Sequence, residues 1–593
     1  MTSTDGAPDV NHMDVVATAG HVDHGKSALV RALTGMEPDR WAEERRRGLT
    51  IDLGFAWTTL RSGRRVAVVD VPGHEKFVGN MLAGVGPVPA ALLVVAADDG
   101  WSAQTAEHVA VLDALGVQHA LVAVTKSDLA DPAPVVSDVR RRLADTSMGV
   151  VPAVPVSSVT GDGVAELGVA LEALLSELPP ADPDAPVRLW IDRAFTIRGA
   201  GTVVTGTLAA GSVAAGDRFL LGEREVVVRR VQSLGAPVEH ASATARVALN
   251  LRDVAVEDLS RGDVLLTPGA FRVTDVVDVT LDAEPGERLP AEPVVHIGSA
   301  TVGARLRPLE GAAVRLRLAG ALPLRVGDRV LLRDPGTRRV LGADVRDVDP
   351  PELRRRGAAR ARAADLVAQP GGAAGAAVDL ARRRIVRVED FTAMGWPVPE
   401  GATVHGPWLL AAGLRDDLVA RVPDVVARYR RLRPLEPGPP VEVVRRALDL
   451  PDADLVAAVV RPPLELRGGR VVDGTAALPP EVQRAVEEVR ARLAQDPFAA
   501  PEAPDLVAAG LGVRELAAAV RSGQLVRIAD GVYLAPGIAE VARARLADVP
   551  QPFTLSQARQ AWGTTRRVAV PLAEWLDAQG VTVRLPDNTR RLA

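Results

Sequence analysis

Gly20-His21-Val22-Asp23-His24-Gly25-Lys26-Ser27 is a glycine-bounded loop that ends in a lysine and a hydroxyl. It follows the apolar run Val15-Val16-Ala17 and precedes Ala28-Leu29-Val30-Arg31-Ala32-Leu33, which reads as a helix. Strand, tight loop and helix start together suit the phosphates of a nucleoside triphosphate. The N–H groups of Asp23, His24, Gly25 and the first helical turn point at phosphate, Lys26 adds a point charge, and Ser27 offers its hydroxyl to Mg²⁺. Further along, Thr50 is the candidate that closes on the metal when a γ-phosphate is present and lets go when it leaves. Asp70, at the end of the strand pattern Arg65–Val69, is a second metal-shell candidate, and the Gly73 amide can reach the γ-phosphate. His74 is placed to orient an attacking water, a step that needs positioning and charge stabilisation more than a strong base. In Thr125-Lys126-Ser127-Asp128, the aspartate can accept from guanine N1–H and the 2-amino group while the lysine stem covers the ring. Backbone at Ser157-Ser158 is placed to meet guanine O6.

The elements that must hold these groups alternate. Strand patterns at Val15–Ala17, Arg65–Val69, Ala91–Ala97, Ala120–Val124 and Val154–Val156 are separated by helical stretches, which predicts a mostly parallel sheet with helices on both faces. Ligands of such sheets sit at the carboxyl ends of the strands, where all the candidates fall.

Residues 20–27, Arg47-Gly48-Leu49-Thr50 and Asp70-Val71-Pro72-Gly73-His74-Glu75 resemble the first three motifs of the translational GTPases. Thr125–Asp128 resembles the fourth, with Thr125 where the family carries an asparagine that braces the loops around the base. Ser157-Ser158 replaces the commoner Ser-Ala. The resemblance implies GTP/GDP and Mg²⁺ as ligands, hydrolysis of GTP, and Val22 and Leu49 as an apolar pair screening His74 until the ribosome docks.

Pro179-Pro180-Ala181-Asp182-Pro183 ends the first domain, expected over 1–180. Short β-rich runs with Gly and Asp turns then predict two antiparallel β-barrels, over 181–270 and 271–350. Within the first, Asp192-Arg193-Ala194-Phe195-Thr196-Ile197, Gly199–Gly206 and Arg246–Asn250 resemble the second-domain signature of the bacterial selenocysteine-specific elongation factors, relatives of elongation factor Tu. That resemblance implies an aminoacyl pocket at Asp192, Arg193 and Arg246 for selenocysteinyl-tRNA. The chemistry agrees: a selenol is largely ionised at neutral pH, whereas serine is neutral and gains nothing from paired guanidinium groups. Asp192 is expected either to meet the α-amino group or to brace an arginine.

From Pro351 onward, helices precede short β pairs, which predicts tandem winged-helix modules over 351–425, 426–477, 478–545 and 546–593. The whole is then an α/β P-loop GTPase domain, two barrels and a winged-helix tail. Residues 551–593 carry six arginines against three acids, in a chain whose formal charge is -5. Arg566 and Arg567 at a helix start, with Arg584, Arg590 and Arg591 in the closing β pair, are the RNA-binding candidates. Resemblance to the same factors implies that this end grips the messenger hairpin that recodes UGA, and that the ribosome is the third partner.

Composition bounds the rest. A chain of 593 residues exceeds one core, and zero cysteine excludes disulfides, thiolate metal sites and cysteine catalysis. The near-neutral balance confines nucleic-acid contact to local patches. Apolar runs are far shorter than the roughly 20 residues of a membrane helix. A cytoplasmic monomer without membrane contact is the expectation. Two rival readings stay open on sequence: another ribosomal GTPase, and a GTP-switched winged-helix regulator.

Overall fold

A computed structural model describes residues 13–38, 50, 52–72, 78–86, 88–199, 201–283, 289–473 and 478–593. It divides into two compact units, residues 1–382 with 386–400, and residues 383–385 with 401–593.

The first unit opens on a six-stranded sheet: β1 (Met13–Ala19), β2 (Gly54–Thr59), β3 (Arg65–Asp70), β4 (Ala90–Ala96), β5 (His119–Thr125) and β6 (Ala153–Pro155). Its order is β2-β3-β1-β4-β5-β6, with β2 antiparallel to β3 and the other pairs parallel. Every residue of β1 and β4 is buried, as expected of central strands covered on both faces. Helices α1 (Lys26–Thr34), α2 (Val78–Val85), α3 (Ala103–Ala114) and α4 (Ala133–Leu143) lie between its strands in the chain, and α5 (Val164–Ser176) follows β6. The alternating pattern read from the sequence is therefore the observed topology.

The next strands are β7 (Arg188–Trp190), β8 (Arg193–Ile197), β9 (Gly201–Leu208), β10 (Ser212–Ala214), β11 (Arg218–Leu221), β12 (Arg224–Ser233), β13 (Ala236–Val238), β14 (His240–Ser242), β15 (Ala245–Leu251) and β16 (Val264–Leu266). They pair in the path β7-β16-β11-β12-β15-β9-β8, with β13 on β12 and a separate β10–β14 pair. The path is open, but its two ends are successive pieces of one run that bends at Ile191-Asp192. Closure is complete in the following group, β17 (Arg272–Leu281), β18 (Val294–Ile297), β19 (Ala300–Glu310), β20 (Ala313–Leu324), β21 (Arg329–Arg333) and β22 (Val340–Asp347), ordered β17-β20-β19-β18-β21-β22.

Residues 351–382, expected on sequence to open a winged-helix module, are compact with the strands that precede them. The reason is a buried ion network. Arg362, in the helix Ala358–Ala368, donates to Asp278 at 2.8 Å and to Asp347 at 2.5 Å. Arg315 forks onto Asp278 at 2.7 and 3.0 Å, and Arg382 bonds Asp347 at 2.8 Å. Asp278 and Asp347 are strand residues of the closed barrel, so the helix that carries Arg362 is fastened to it.

In the second unit the described residues form four β-hairpins: Thr403–His405 with Trp408–Leu410, Leu464–Arg467 with Arg470–Asp473, Val526–Ala529 with Val532–Leu534, and Thr582–Arg584 with Arg590–Leu592. Residues 478–593, divided at 545/546 on sequence, share one apolar core that runs from Val482 through Leu534 to Leu576. The Phe498 and Trp562 rings stack across it with centroids 6.0 Å apart. No helix among the described residues is long and apolar enough to cross a membrane.

Candidate functional site

The loop between β1 and α1 is built tightly. Gly20 has φ +131° and a Cβ there would lie 2.2 Å from the Val94 carbonyl oxygen, so glycine is required. Lys26, buried, donates from Nζ to Gly20 O at 3.1 Å and His21 O at 2.8 Å, which stretches it along the inside of the loop. Asp23 is exposed beside it. The His24 side chain turns inward. It is fully buried, with Nε2 2.9 Å from Asp99 Oδ2 and Nδ1 3.3 Å from Val94 O, so only its backbone is left to face a phosphate. Burial holds its pKa below the usual imidazole value, against the opposing pull of Asp99.

Three of the predicted groups converge. Ser27 Oγ donates to Asp70 Oδ2 at 2.7 Å and lies 3.0 Å from Thr50 Oγ1. Two hydroxyls and a carboxylate make a hard oxygen donor set of the kind Mg²⁺ takes together with water and phosphate. These residues fit the metal. Gly73 and His74 lie outside the described residues, as does Leu49.

At the carboxyl end of β5, Thr125 Oγ1 donates to His24 O at 2.7 Å. The hydroxyl therefore ties the base-side loop to the phosphate loop, which is the bracing the sequence left in doubt when threonine stood for asparagine. Lys126 adopts φ 55° and its Nζ lies 3.1 Å from Asp98, while Asp128 is exposed at the loop tip. Ser157 is buried and its Oγ accepts from Val159 N at 3.3 Å and Thr160 N at 3.1 Å, shaping the turn that also carries the half-buried Ser158.

A cleft of about 250 Å³ lies between β2 and the first barrel strands, lined by Phe55, Trp57, Arg193, Thr205, Gln232 and Arg246 among others. Arg246 forks onto Asp192, which is buried and also accepts from Thr205 Oγ1 at 2.7 Å. Of the two roles expected of Asp192, bracing an arginine is the one the geometry carries. Both guanidinium groups lie near the ring of Phe55, Arg246 at 4.0 Å and Arg193 at 5.3 Å from its centroid. Sequence reading missed Phe55 and Trp57, although aromatics at alternate positions of one strand face the same side. It also missed Thr18, whose hydroxyl donates to Asp70 Oδ1 at 2.7 Å, and His108, whose Nδ1 accepts from Gly20 N at 3.0 Å. His108 is driven down to about 3 by burial, with help from Lys26, so it stays neutral and keeps that acceptor.

At the carboxyl end, Arg566, Arg567, Arg584 and Arg591 are exposed. Arg590 corrects the RNA-binding list: it is buried and its Nε donates to Asp577 Oδ2 at 2.8 Å, fastening the hairpin to the helix Arg566–Ala578. Arg567 donates to the carbonyls of Ala500, Pro501 and Gly531, which makes it a strap within the shared core region.

Residues 11–180 match the family model of the elongation factor Tu GTP binding domain, and residues 544–592 match the elongation factor SelB winged helix. The selenocysteine-specific elongation factor of Escherichia coli K12 is 37% identical over 472 residues, 75% of this chain and 75% of that protein. The chain belongs to the selenocysteine-specific elongation factors. The member from Desulfomicrobium baculatum is 39% identical over 337 residues, 54% of this chain, and the match spans about half (53%) of that protein's length. Among solved structures, a bacterial selenocysteine-specific elongation factor EF-Sec superposes with TM-score 0.75 at 26% identity, covering 98% of this chain and 100% of that one. The GTPase domain of this family spans residues 11–180, the stretch in which Ser27, Thr50 and Asp70 meet.

Proposed function

We propose that this factor binds selenocysteinyl-tRNA in its GTP form and delivers it to the ribosome at UGA codons marked by a messenger hairpin. The observation that carries the reading is the cleft in which Arg193 and Arg246 flank Phe55, beside the strand that follows Thr50. Two cations over an aromatic floor favour a selenolate over a serine hydroxyl, because only the anion gains from the guanidinium charge. The nucleotide is held by the backbone of Asp23, His24 and Gly25, by Lys26, by Asp128 at the base with Lys126 across the ring, and by the 157–158 turn. Mg²⁺ held by Ser27, Thr50 and Asp70 supplies charge neutralisation at the β and γ phosphates. The Gly73 amide and His74 complete the site at the γ-phosphate. The open β7-to-β8 path is read as a second barrel closed through the bend at 191–192, and the hairpin units over 426–593 as tandem winged helices. The factor acts in the cytosol as a monomer.

Competition binding tests this. With a non-hydrolysable GTP analogue, selenocysteinyl-tRNA is expected to outcompete seryl-tRNA by about 100-fold or more, on the scale of two charge-assisted contacts. Equal competition, or equal capture with GDP, removes the reading. The tail carries its own prediction. Arg566→Ala weakens hairpin RNA binding with an unchanged melting curve, whereas Arg567→Ala lowers the melting midpoint because three carbonyls lose their donor. A filter-binding isotherm and a thermal scan on each variant separate the two, and an unaltered isotherm for Arg566→Ala takes that residue off the RNA surface.

A further inference from the structure

Asp52 sits two residues beyond Thr50 and has no part in the nucleotide contacts described above. Its carboxylate is shared by two arginines of the first barrel. Oδ2 accepts from Arg193 at 2.9 Å and Oδ1 accepts from Arg261 at 2.7 Å. The same Arg193 nitrogen also donates to the Leu53 carbonyl at 2.7 Å. Both bonds from Arg193 to the GTPase domain thus leave through a single nitrogen. Its remaining N–H groups make no hydrogen bond among the described residues, and the side chain lines the aminoacyl cleft. Arg261 in turn donates from Nε to the backbone oxygen of Asp192 at 3.0 Å and from a terminal nitrogen to Asn80 Oδ1. Asp192 is the acid that forks Arg246, so the Asp52–Arg261 pair reaches the second guanidinium as well.

The charge count fits orientation, not neutralisation. One carboxylate between two guanidinium groups leaves a net positive charge at the mouth of the cleft. Thr50 and Asp52 are separated by one residue, so two steps of chain, at most about 7 Å, link the metal-facing hydroxyl to this carboxylate. Hydrogen bonds of 2.7–2.9 Å lose most of their strength when the partners separate beyond roughly 3.5 Å. A withdrawal that carries Thr50 beyond this two-residue reach therefore draws Asp52 off Arg193 and Arg261.

We propose that Asp52 is a positioning residue that makes the arrangement of the cargo-binding arginines depend on the nucleotide: it holds Arg193 and Arg261 while Thr50 is docked and releases them when Thr50 withdraws. The proposal rests on the cargo reading given above and adds the part that carries the signal. The test uses the full chain and Asp52→Asn, with selenocysteinyl-tRNA and seryl-tRNA each titrated against the GTP-analogue and GDP forms. Asp52→Asn is expected to weaken selenocysteinyl-tRNA binding to the GTP-analogue form about tenfold, the effect of one lost charge-assisted bond, and to leave seryl-tRNA within about twofold. The preference between cargoes, and the GTP-over-GDP advantage for selenocysteine, both fall by that factor. In an Arg193→Ala background, Asp52→Asn adds less than about twofold more, since the group it positions is gone.

A variant with undiminished preference overturns the proposal. So does an equal loss for both cargoes, a loss of nucleotide affinity of the same size, or losses that multiply in the double variant. A wild-type protein with no preference overturns both this proposal and the cargo reading. A selective wild type beside an equally selective Asp52→Asn overturns this proposal alone.

Discussion

Asp128→Asn is expected to turn a guanosine-nucleotide protein into one that prefers xanthosine nucleotides. The carboxylate stands at the exposed tip of the 125–128 loop, and in the proposed site it would accept twice, from N1–H and from the 2-amino group of guanine. An amide keeps one acceptor and sets its NH₂ against the guanine amino group, so one bond is lost and a donor–donor clash replaces it. Xanthine carries a carbonyl at position 2 and accepts from that NH₂. At about 1.5–3 kcal/mol for each charge-assisted bond, GDP affinity falls about 100-fold or more, while xanthosine diphosphate becomes the tighter ligand. Competition between the two diphosphates on the variant measures the exchange directly. A variant that still prefers GDP would place base recognition elsewhere. The Thr125 bond to His24 O is independent of the substitution, so the loop keeps its brace and the effect reads as specificity.

Legibility followed chain locality. The phosphate loop, the β3 end and the base-side loop were readable because each is a contiguous run with a fixed strand-to-loop register. Ser27, Thr50 and Asp70 then met as that register requires. His24 shows where motif reading stops: the same residue that belongs to the loop by sequence turns its ring into the core, because Asp99 and the Val94 carbonyl wait there from β4 and its following turn. Arg590 shows the matching limit at the tail. A local excess of arginine says nothing about which guanidinium groups point inward, and a partner 13 residues away decides it. The contact that the helix Ala358–Ala368 makes with the closed barrel was hidden for the same reason, since Arg362 pairs with Asp278, 84 residues back along the chain. Phe55 and Asp52 were missed because their roles exist only once β2 meets the first barrel.

That meeting also supports the second large effect, at Arg246. Its guanidinium forks onto Asp192, lies 3.3 Å from Thr207 Oγ1 and packs 4.0 Å from the Phe55 centroid, with only 12% of the side chain exposed. Arg246→Ala therefore does two things. It takes a cation from the cleft, and it leaves Asp192 as a buried carboxylate held by Thr205 and little else. Breaking a buried pair from one side costs about 3–5 kcal/mol, so the melting midpoint falls along with cargo binding. The two losses separate in a double variant. Asp192→Asn combined with Arg246→Met has no buried charge to strand and keeps apolar bulk against Phe55, so the melting midpoint returns most of the way. Selenocysteinyl-tRNA binding stays down by about 100-fold, because the cleft has lost one of its two guanidinium groups. If the double variant recovered selective binding together with its stability, Arg246 would be a strut of the barrel and the electrostatic account of cargo choice would have to rest on Arg193 alone.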